Sequence, residues 1–536
     1  GVHDVVINCD MLETGSDEVD NGRGTFKAIV WDNGERFNTT GGIAESWLYV
    51  EDHVGHVQML SLGMNIKQPD VVIANDIDRR DANTPDFIVG IVYVEESPAL
   101  GYIAGMVMMR TYGVYNAGTP GMVVALLQQV KLGKNPSNTA HGNVDGNPHI
   151  DMWTNTGYLV SGLPSLREFA VCWSEGYQYQ NCYTPPNYSY TKQPGNLMYS
   201  WGDINNIGTA FSNVVNTKYL CNGMSDIACY YNAEAMQQYS VITFGSGIPC
   251  VGEVGLYANE DIPKTTAIFP AGNLVVLNND PPKVTRVEAM NQYDQSAGLV
   301  SKWVVAASMP QVGAGFPWEV WSYDDRSNVN PLSANYTGSS ADVVSPAVAA
   351  GVSPTLSGNI GNRQYTTGYY PRDYNTGTYH DIWSRSVDVF SGLMSGTELQ
   401  VNNAPVNIYW DINRIYAVSN CSNSGFNILS AYFNGNEILY KESPNAFYYK
   451  PSGTTTVKTI GSRTMIGLYP NPAHNMVYLS HAAGKEYRLM DITGKTVLSG
   501  QYTTSGVDIT TLTCGFYMLN IKDSEGKQIS FKFTKQ

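Results

Sequence analysis

The stretch Trp318-Glu319-Val320-Trp321-Ser322-Tyr323-Asp324-Asp325 decides the fold class of this chain. It is a short run of β-branched and aromatic residues that closes on an aromatic and an acidic turn. The same plan recurs in Val92-Tyr93-Val94-Glu95, Cys172-Trp173-Ser174-Glu175, Leu256-Tyr257-Ala258-Asn259 and Ile382-Trp383-Ser384-Arg385. A second strand class lies between these runs. It comprises Ile150-Asp151-Met152-Trp153, Ser240-Val241-Ile242-Thr243-Phe244, Val304-Val305-Ala306-Ala307 and Ala347-Val348-Ala349-Ala350-Gly351. Small residues suit strands crowded around an axis, and large aromatics suit strands farther out. That taper is what a β-propeller needs, with blades of about four strands and about 40–70 residues. The expected fold is all-β: a six- or seven-bladed β-propeller over residues 1–449, followed by a small C-terminal β-sandwich. A pair of β-sandwiches uses the same strand vocabulary and is the alternative. The best helical windows, Thr119 to Val130 and Ala233 to Tyr239, are short or carry Gly and Pro early.

Bulk composition agrees with a β-rich protein of more than one domain. The chain has 536 residues, 15% of them charged, with 36 Tyr against 15 Phe. So many tyrosines indicate half-buried positions that take an apolar ring and a wet hydroxyl. A net charge of −15 without a basic run opposes binding to a nucleic-acid backbone. No apolar stretch reaches the roughly 20 residues of a membrane-spanning helix. Gly1-Val2-His3-Asp4 has no initiator Met and reads as a mature N-terminus from which an export signal has been removed.

Residues 465–536 carry the sharpest motifs. Tyr469-Pro470-Asn471-Pro472-Ala473 alternates two prolines with a turn-capping Asn, which makes a stiff opening to a small domain. Asp491-Ile492-Thr493-Gly494-Lys495 reads as a hairpin tip, with Gly494 free to take the left-handed conformation. After Gly515, strand alternation puts Tyr517, Leu519 and Ile521 on one face and Phe516 and Met518 on the other. Phe531 and Phe533 flank Lys532 in the last strand. Residues 450–464, small and polar, read as a linker.

Together these motifs resemble the C-terminal sorting domain of type IX secretion substrates, the Por secretion family of Bacteroidetes. The resemblance covers residues 465–536 and nothing before them. It implies export by a cleaved signal peptide, transit of the periplasm, and outer-membrane translocation through the type IX translocon and its shuttle. The sorting signal then falls on Tyr469, Pro470, Asn471, Pro472, Asp491, Gly494, Lys495, Gly515, Tyr517, Phe531 and Lys532. In that family the domain is commonly removed and the cargo attached to surface lipopolysaccharide, although some members keep it. An ordinary terminal β-sandwich, such as a carbohydrate-binding module, is the plainer alternative.

The large domain offers less chemistry. Cys172 with Cys182, and Cys221 with Cys229, lie in short Tyr- and Asn-rich loops that disulfides staple easily in an oxidising compartment. No Cys-x-x-Cys or His-Glu-x-x-His supports zinc. Gly245-Ser246-Gly247 lacks the flanks of a nucleophile elbow. His53 and His56 could pair on a metal only with a third ligand. Calcium is the one cofactor candidate. Asp76, Asp78, Asp81 and Asn83 cluster hard oxygens within eight residues, and Asn143 to Asp151 does so more loosely. The adjacent pairs Asp324-Asp325 and Glu95-Glu96 point to opposite faces of a strand and are poor catalytic dyads.

These readings lead to a secreted or cell-surface protein that acts by binding a surface protein, another copy of itself or a glycan. One alternative is a propeller hydrolase acting on glycans or peptides. Another is an accessory subunit kept at the secretion or gliding machinery. Carboxylates clustered at the axis with displaced titration would favour the hydrolase.

Overall fold

A computed structural model describes the strands named below together with residues 52, 54–56, 84–86, 116–122, 132, 204–210, 279–280, 282, 325–328, 332, 473–475, 494–495, 502–503, 506 and 509–514. Among these residues there is no α-helix, and one 3₁₀ turn spans Ile207–Thr209. The chain divides into two compact units: Gly1–Met59 with Met64–Lys458, and Thr459–Gln536 with Leu60–Gly63.

The first unit is a series of antiparallel meanders. The first sheet runs β1 (Val5–Met11), β2 (Thr25–Asp32), β3 (Glu45–Glu51), β4 (Val57–Met64). The second runs β5 (Ile66–Asn75), β6 (Phe87–Glu96), β7 (Gly105–Tyr115), β8 (Val123–Lys131). Then come β9 (Val144–Met152), β10 (Glu168–Tyr177), β11 (Gly195–Asp203) and the long β12 (Phe211–Asn232). β12 continues into β13 (Gln237–Ser246), β14 (Gly255–Pro263) and β15 (Asn273–Asn278). The next sheet is β16 (Val284–Ala289), β17 (Trp303–Pro310), β18 (Trp318–Asp324), β19 (Val329–Pro331). After it come β20 (Ala341–Val352), β21 (Arg363–Asp373), β22 (Trp383–Asp388), β23 (Leu399–Gln400). The last is β24 (Tyr416–Asn420), β25 (Asn427–Phe433), β26 (Ile438–Pro444), β27 (Thr456–Gly461). β27 thus falls inside the stretch read from sequence as a linker.

β12 serves two meanders. Its ladder breaks between Leu220 and Ser225, so residues 211–220 pair with β11 and residues 225–232 with β13. Counted this way, the described residues make seven four-stranded meanders. Their first strands neighbour one another in sequence: β1 packs beside β5, β5 beside β9, β9 beside β12, β12 beside β16, β16 beside β20, and β20 beside β24. β24 packs beside β1, and the series closes.

The apolar cores lie between successive sheets. Val72, Ile88, Val92 and Met109 pack against Ile150, Phe169, Val171 and Trp173. The alternate residues of β10, Ala170 and Cys172, face the other way, toward Ile227, Ile242 and Phe244. Ala228, Tyr230 and Leu256 then meet Val287, Trp303 and Val305. A strand covered on both faces reads as a continuous apolar run rather than an alternating one. This explains why the two strand classes picked from sequence do not each keep one place. Residues 150–152 and 347–351 belong to first strands, but 241–244 and 304–307 belong to second strands. The aromatic-ended runs divide between second strands (β6, β10) and third strands (β14, β18, β22).

The second unit has two antiparallel sheets over one core. The smaller joins β28 (Leu468–Tyr469), β29 (Met476–Leu479) and β32 (Val507–Asp508). The larger has β30 (Glu486–Asp491), β31 (Thr496–Gln501), β33 (Gly515–Lys522) and β34 (Gln528–Lys535) in the order β31-β30-β33-β34. Val477, Leu479 and Val507 from the first sheet pack against Leu489, Leu519, Ile521 and Phe533 from the second.

Phe169 tests the packing between sheets. It is fully buried, and the backbone of Gly202 approaches so closely that an added Cβ would meet its ring at 2.9 Å. Phe169→Ala is expected to cost ~3–5 kcal/mol, read as a lower urea midpoint for the first unit with an unchanged slope.

Candidate functional site

The first strands carry polar residues where strands of this kind are expected to be apolar. β5 holds Gln68-Pro69-Asp70 and β9 holds Asn147-Pro148-His149. In both, the residue before proline has a positive φ, 52° at Gln68 and 55° at Asn147. In both the ladder to the next strand slips at this point, as it also does at Ser345-Pro346-Ala347 in β20. Proline has no N–H to give a ladder, and a bulge accommodates it while re-aiming the residue that follows. The residues re-aimed are Asp70 and His149.

These side chains meet a third from β12. His149 Nδ1 lies 2.9 Å from Asp70 Oδ2 and 3.3 Å from Asp226 Oδ1. All three residues are buried, His149 at 2% exposure. Asp70 Oδ1 accepts from the Val71 N–H at 3.0 Å, and Asp226 Oδ2 from the Val287 N–H at 2.9 Å. His149 Nε2 is 3.2 Å from Asn147 Nδ2. With the Asn147 amide in that orientation, Nε2 is the acceptor and Nδ1 carries the imidazole proton.

The same region shows how first strands are held together. Gln68 donates its N–H to Asp32 Oδ2 at 3.2 Å, and Asn147 donates its N–H to Gln68 Oε1 at 2.7 Å. The Cys229 N–H reaches Asp151 Oδ2 at 2.6 Å. Each bond runs from one first strand, or the strand beside it, to the first strand of the next sheet. Buried edge N–H groups must find acceptors, and carboxylates and amides supply them.

Four carboxylates therefore share one neighbourhood: Asp70, Asp151, Asp226 and Glu288. Burial pushes Asp151 up to about 7, and the charges of Asp226 and Asp70 add to the shift. Burial likewise raises Glu288 well above the ordinary carboxylate range, with the Asp151 charge next in importance. Arg286, also buried, is a cation of the same strand as Glu288 and donates Nη1 to the Thr285 carbonyl at 2.8 Å.

The residues singled out from sequence are placed as follows. Asp76, Asp78, Asp81 and Asn83 lie outside the described residues, as do Cys182, His53, Pro470, Asn471 and Pro472. Cys172 and Cys229 are free, fully enclosed thiols, held well above the usual thiol range first by burial. Both face one core, where Cys229 Sγ is 3.6 Å from Ser240 Oγ. Cys221 falls on β12, whose side chain there is not described. His56 binds Asp52 Oδ2 at 2.9 Å, inside a hairpin whose N–H groups at Val54 and His56 also bond Asp52. Asp324 caps its hairpin alike, accepting from the N–H groups of Arg326 and Asn328. The second weak calcium stretch is no loop from Val144 onward: Asn147 and Asp151 belong to β9. Sequence reading passed over Asp70, His149, Asp226 and Glu288. For Asp70 and His149 the available signal was a polar residue just after Xaa-Pro, and Asp226 and Glu288 carry no such mark.

In the second unit the expected features converge on the chain's end. The Ala473 N–H donates to the Thr534 carbonyl at 2.8 Å, and Ala473 bridges Lys535 in parallel. Ala473, the residue after Pro472, thus pairs with the final strand. Gly494 has φ +81°, and the hairpin closes through Gly494 N–H to Asp491 O and Lys495 N–H to Asp491 Oδ1. Tyr517, Leu519, Ile521 and Phe533 are buried, and Tyr517 donates its hydroxyl to the Thr513 carbonyl at 2.8 Å. Phe516 and Met518 are exposed on the other face, with Lys532 Nζ 5.0 Å from the Phe516 ring.

The raised Glu288 sets the sign of a pH effect. The folded state holds a proton on Glu288 that the unfolded chain releases above about pH 4.3, so stability falls as pH rises past that value. Thermal melts across a pH series are expected to show this decline, and Glu288→Gln is expected to flatten it.

Residues 467–536 match the family described as the secretion system C-terminal sorting domain. Among curated proteins no sequence matches the chain. Among solved structures, one likeness is to an arginine-to-alanine mutant of AofleA from Arthrobotrys oligospora. The identity is 7% and the TM-score 0.36, over 85% of this chain and 87% of that one. Another is to PorZ, a surface component of the type-IX secretion system of Porphyromonas gingivalis. There the identity is 12% and the TM-score 0.20, over 100% of this chain and 82% of that one. At these scores neither likeness bears on what the first unit is. Residues 467–536 are a secretion system C-terminal sorting domain, the tail that type IX secretion cargo carry.

Proposed function

We propose that this protein is exported through the type IX secretion system to the cell surface or the extracellular space, with residues 467–536 as its sorting signal. The observation that carries the reading is the family match over those residues, whose opening and closing segments are tied to each other by Ala473 and Thr534. A translocon that reads the tail then reads a folded sandwich rather than a loose peptide. The exposed Phe516, Met518 and Lys532 face is the part of that sandwich left for the translocon or shuttle.

The first unit is, on this reading, a seven-bladed β-propeller. Seven meanders of four strands, with first strands neighbouring one another in a closed series, support it. Its role is binding, to a surface protein, another copy of the chain or a glycan. The second reading, a hydrolase acting on glycans or peptides, is favoured by the convergence of Asp70, Asp151, Asp226 and Glu288 on the first strands. Screening the protein and its Asp151→Asn variant on glycan and peptide substrates separates the two. Turnover that is lost in the variant selects the hydrolase.

Export is tested in cells. Deleting residues 528–536 removes β34 and the buried Phe533, and is expected to leave the protein in the periplasm. Phe516→Ser with Met518→Ser keeps the core intact and is expected to slow export several-fold, by fractionation and surface protease accessibility. Wild-type surface levels for both variants would overturn the sorting role.

A further inference from the structure

We propose that Asp70, His149 and Asp226 form a binding site for one divalent transition-metal ion of the zinc or manganese type. Their donor atoms, one from each of three first strands, all lie within 4.8 Å of one another. The imidazole supplies Nδ1, and the carboxylates supply Asp70 Oδ2 and Asp226 Oδ1.

The geometry fits an ion better than it fits a proton. A neutral imidazole has one N–H at Nδ1, and that hydrogen faces two carboxylate oxygens at 2.9 and 3.3 Å. It serves one of them well. An ion about 2.1 Å from His149 Nδ1 and from each carboxylate oxygen would take that proton's place, and the two separations would then correspond to angles of about 87° and about 104° at the ion. Such angles leave the remaining coordination positions to water. An imidazole in the set selects a transition metal over calcium or magnesium.

Each ligand is also oriented from behind. The Val71 and Val287 N–H groups hold the outer oxygens of Asp70 and Asp226, and Asn147 holds His149 Nε2. With metal on Nδ1 the imidazole proton moves to Nε2, and a half-turn of the Asn147 amide presents Oδ1 to accept it. Outer partners of this kind fix the ring and the tautomer in metal sites. The bulges at Gln68-Pro69 and Asn147-Pro148 are what turn Asp70 and His149 toward each other. Metal would join three successive meanders, and the site stands whether or not the first unit binds a partner.

The test uses the full chain without an affinity tag, in a Cys514→Ser background that removes the exposed thiol found among the described residues. After stripping with chelator, calorimetric titration with zinc sulfate, and separately with manganese chloride, is expected to show one equivalent bound and a rise in Tm. His149→Ala and Asp226→Asn are each expected to weaken binding at least tenfold, whereas His56→Ala leaves it unchanged. Should a variant fail to fold, cobalt(II) added to the stripped parent protein decides the matter. Weak d–d bands without thiolate charge-transfer absorption support the site. Absence of stoichiometric binding, thiolate absorption, or unchanged affinity in the folded variants would overturn it.

Discussion

The buried edge of the first strands is the constraint on which the first unit depends. A strand at the edge of a sheet carries N–H groups that no ladder satisfies, and burial makes leaving them bare costly. Here side chains of one sheet accept from the first strand of the next: Asp32 from Gln68, Gln68 from Asn147, Asp151 from Cys229, Asp226 from Val287. The acceptors that fit are carboxylates and amides, so packing first strands side by side concentrates acidic groups among them. The raised Asp151 and Glu288 follow from that concentration, as does the contact of His149 with two carboxylates. Structure and candidate chemistry share one cause.

The apolar side of the same arrangement is the stacking of sheets. Phe169, Val171 and Trp173 face one neighbour while Ala170 and Cys172 face the other. Phe26 and Phe87, from the first two sheets, bring their rings to 4.1 Å. Hairpins at the rim repeat one solution, an aspartate that accepts from the N–H groups two and four residues on. Asp52 and Asp324 both do this, and Gly55 and Ser327 take the left-handed conformation the turn requires. At Asp324 the acidic turn noticed in the sequence is this cap.

The second unit follows a simpler rule. Its core is closed by the chain's last strand, and Phe533 within that strand is buried. The bond from Ala473 to Thr534 explains why the proline-rich opening and the final strand belong to one motif although about 60 residues separate them.

The sequence by itself determined the all-β class, the strand alternation of residues 515–521, the left-handed Gly494 and the identity of the C-terminal tail. These are readable because period-2 alternation, turn glycines and proline placement act through neighbours in the chain. It also suggested a repeat of four-stranded units, although first and second strands were mixed, since strands buried on both faces lose the alternation that would tell them apart. Only the tertiary structure decided which polar residues meet. Asp70 and His149 are 79 residues apart, and Asp226 comes from a third four-stranded meander. Each alone is one charged or polar residue in an apolar run. Bulges at two prolines and the closure of the strand series bring them within one ion's reach, and no local pattern encodes that distance.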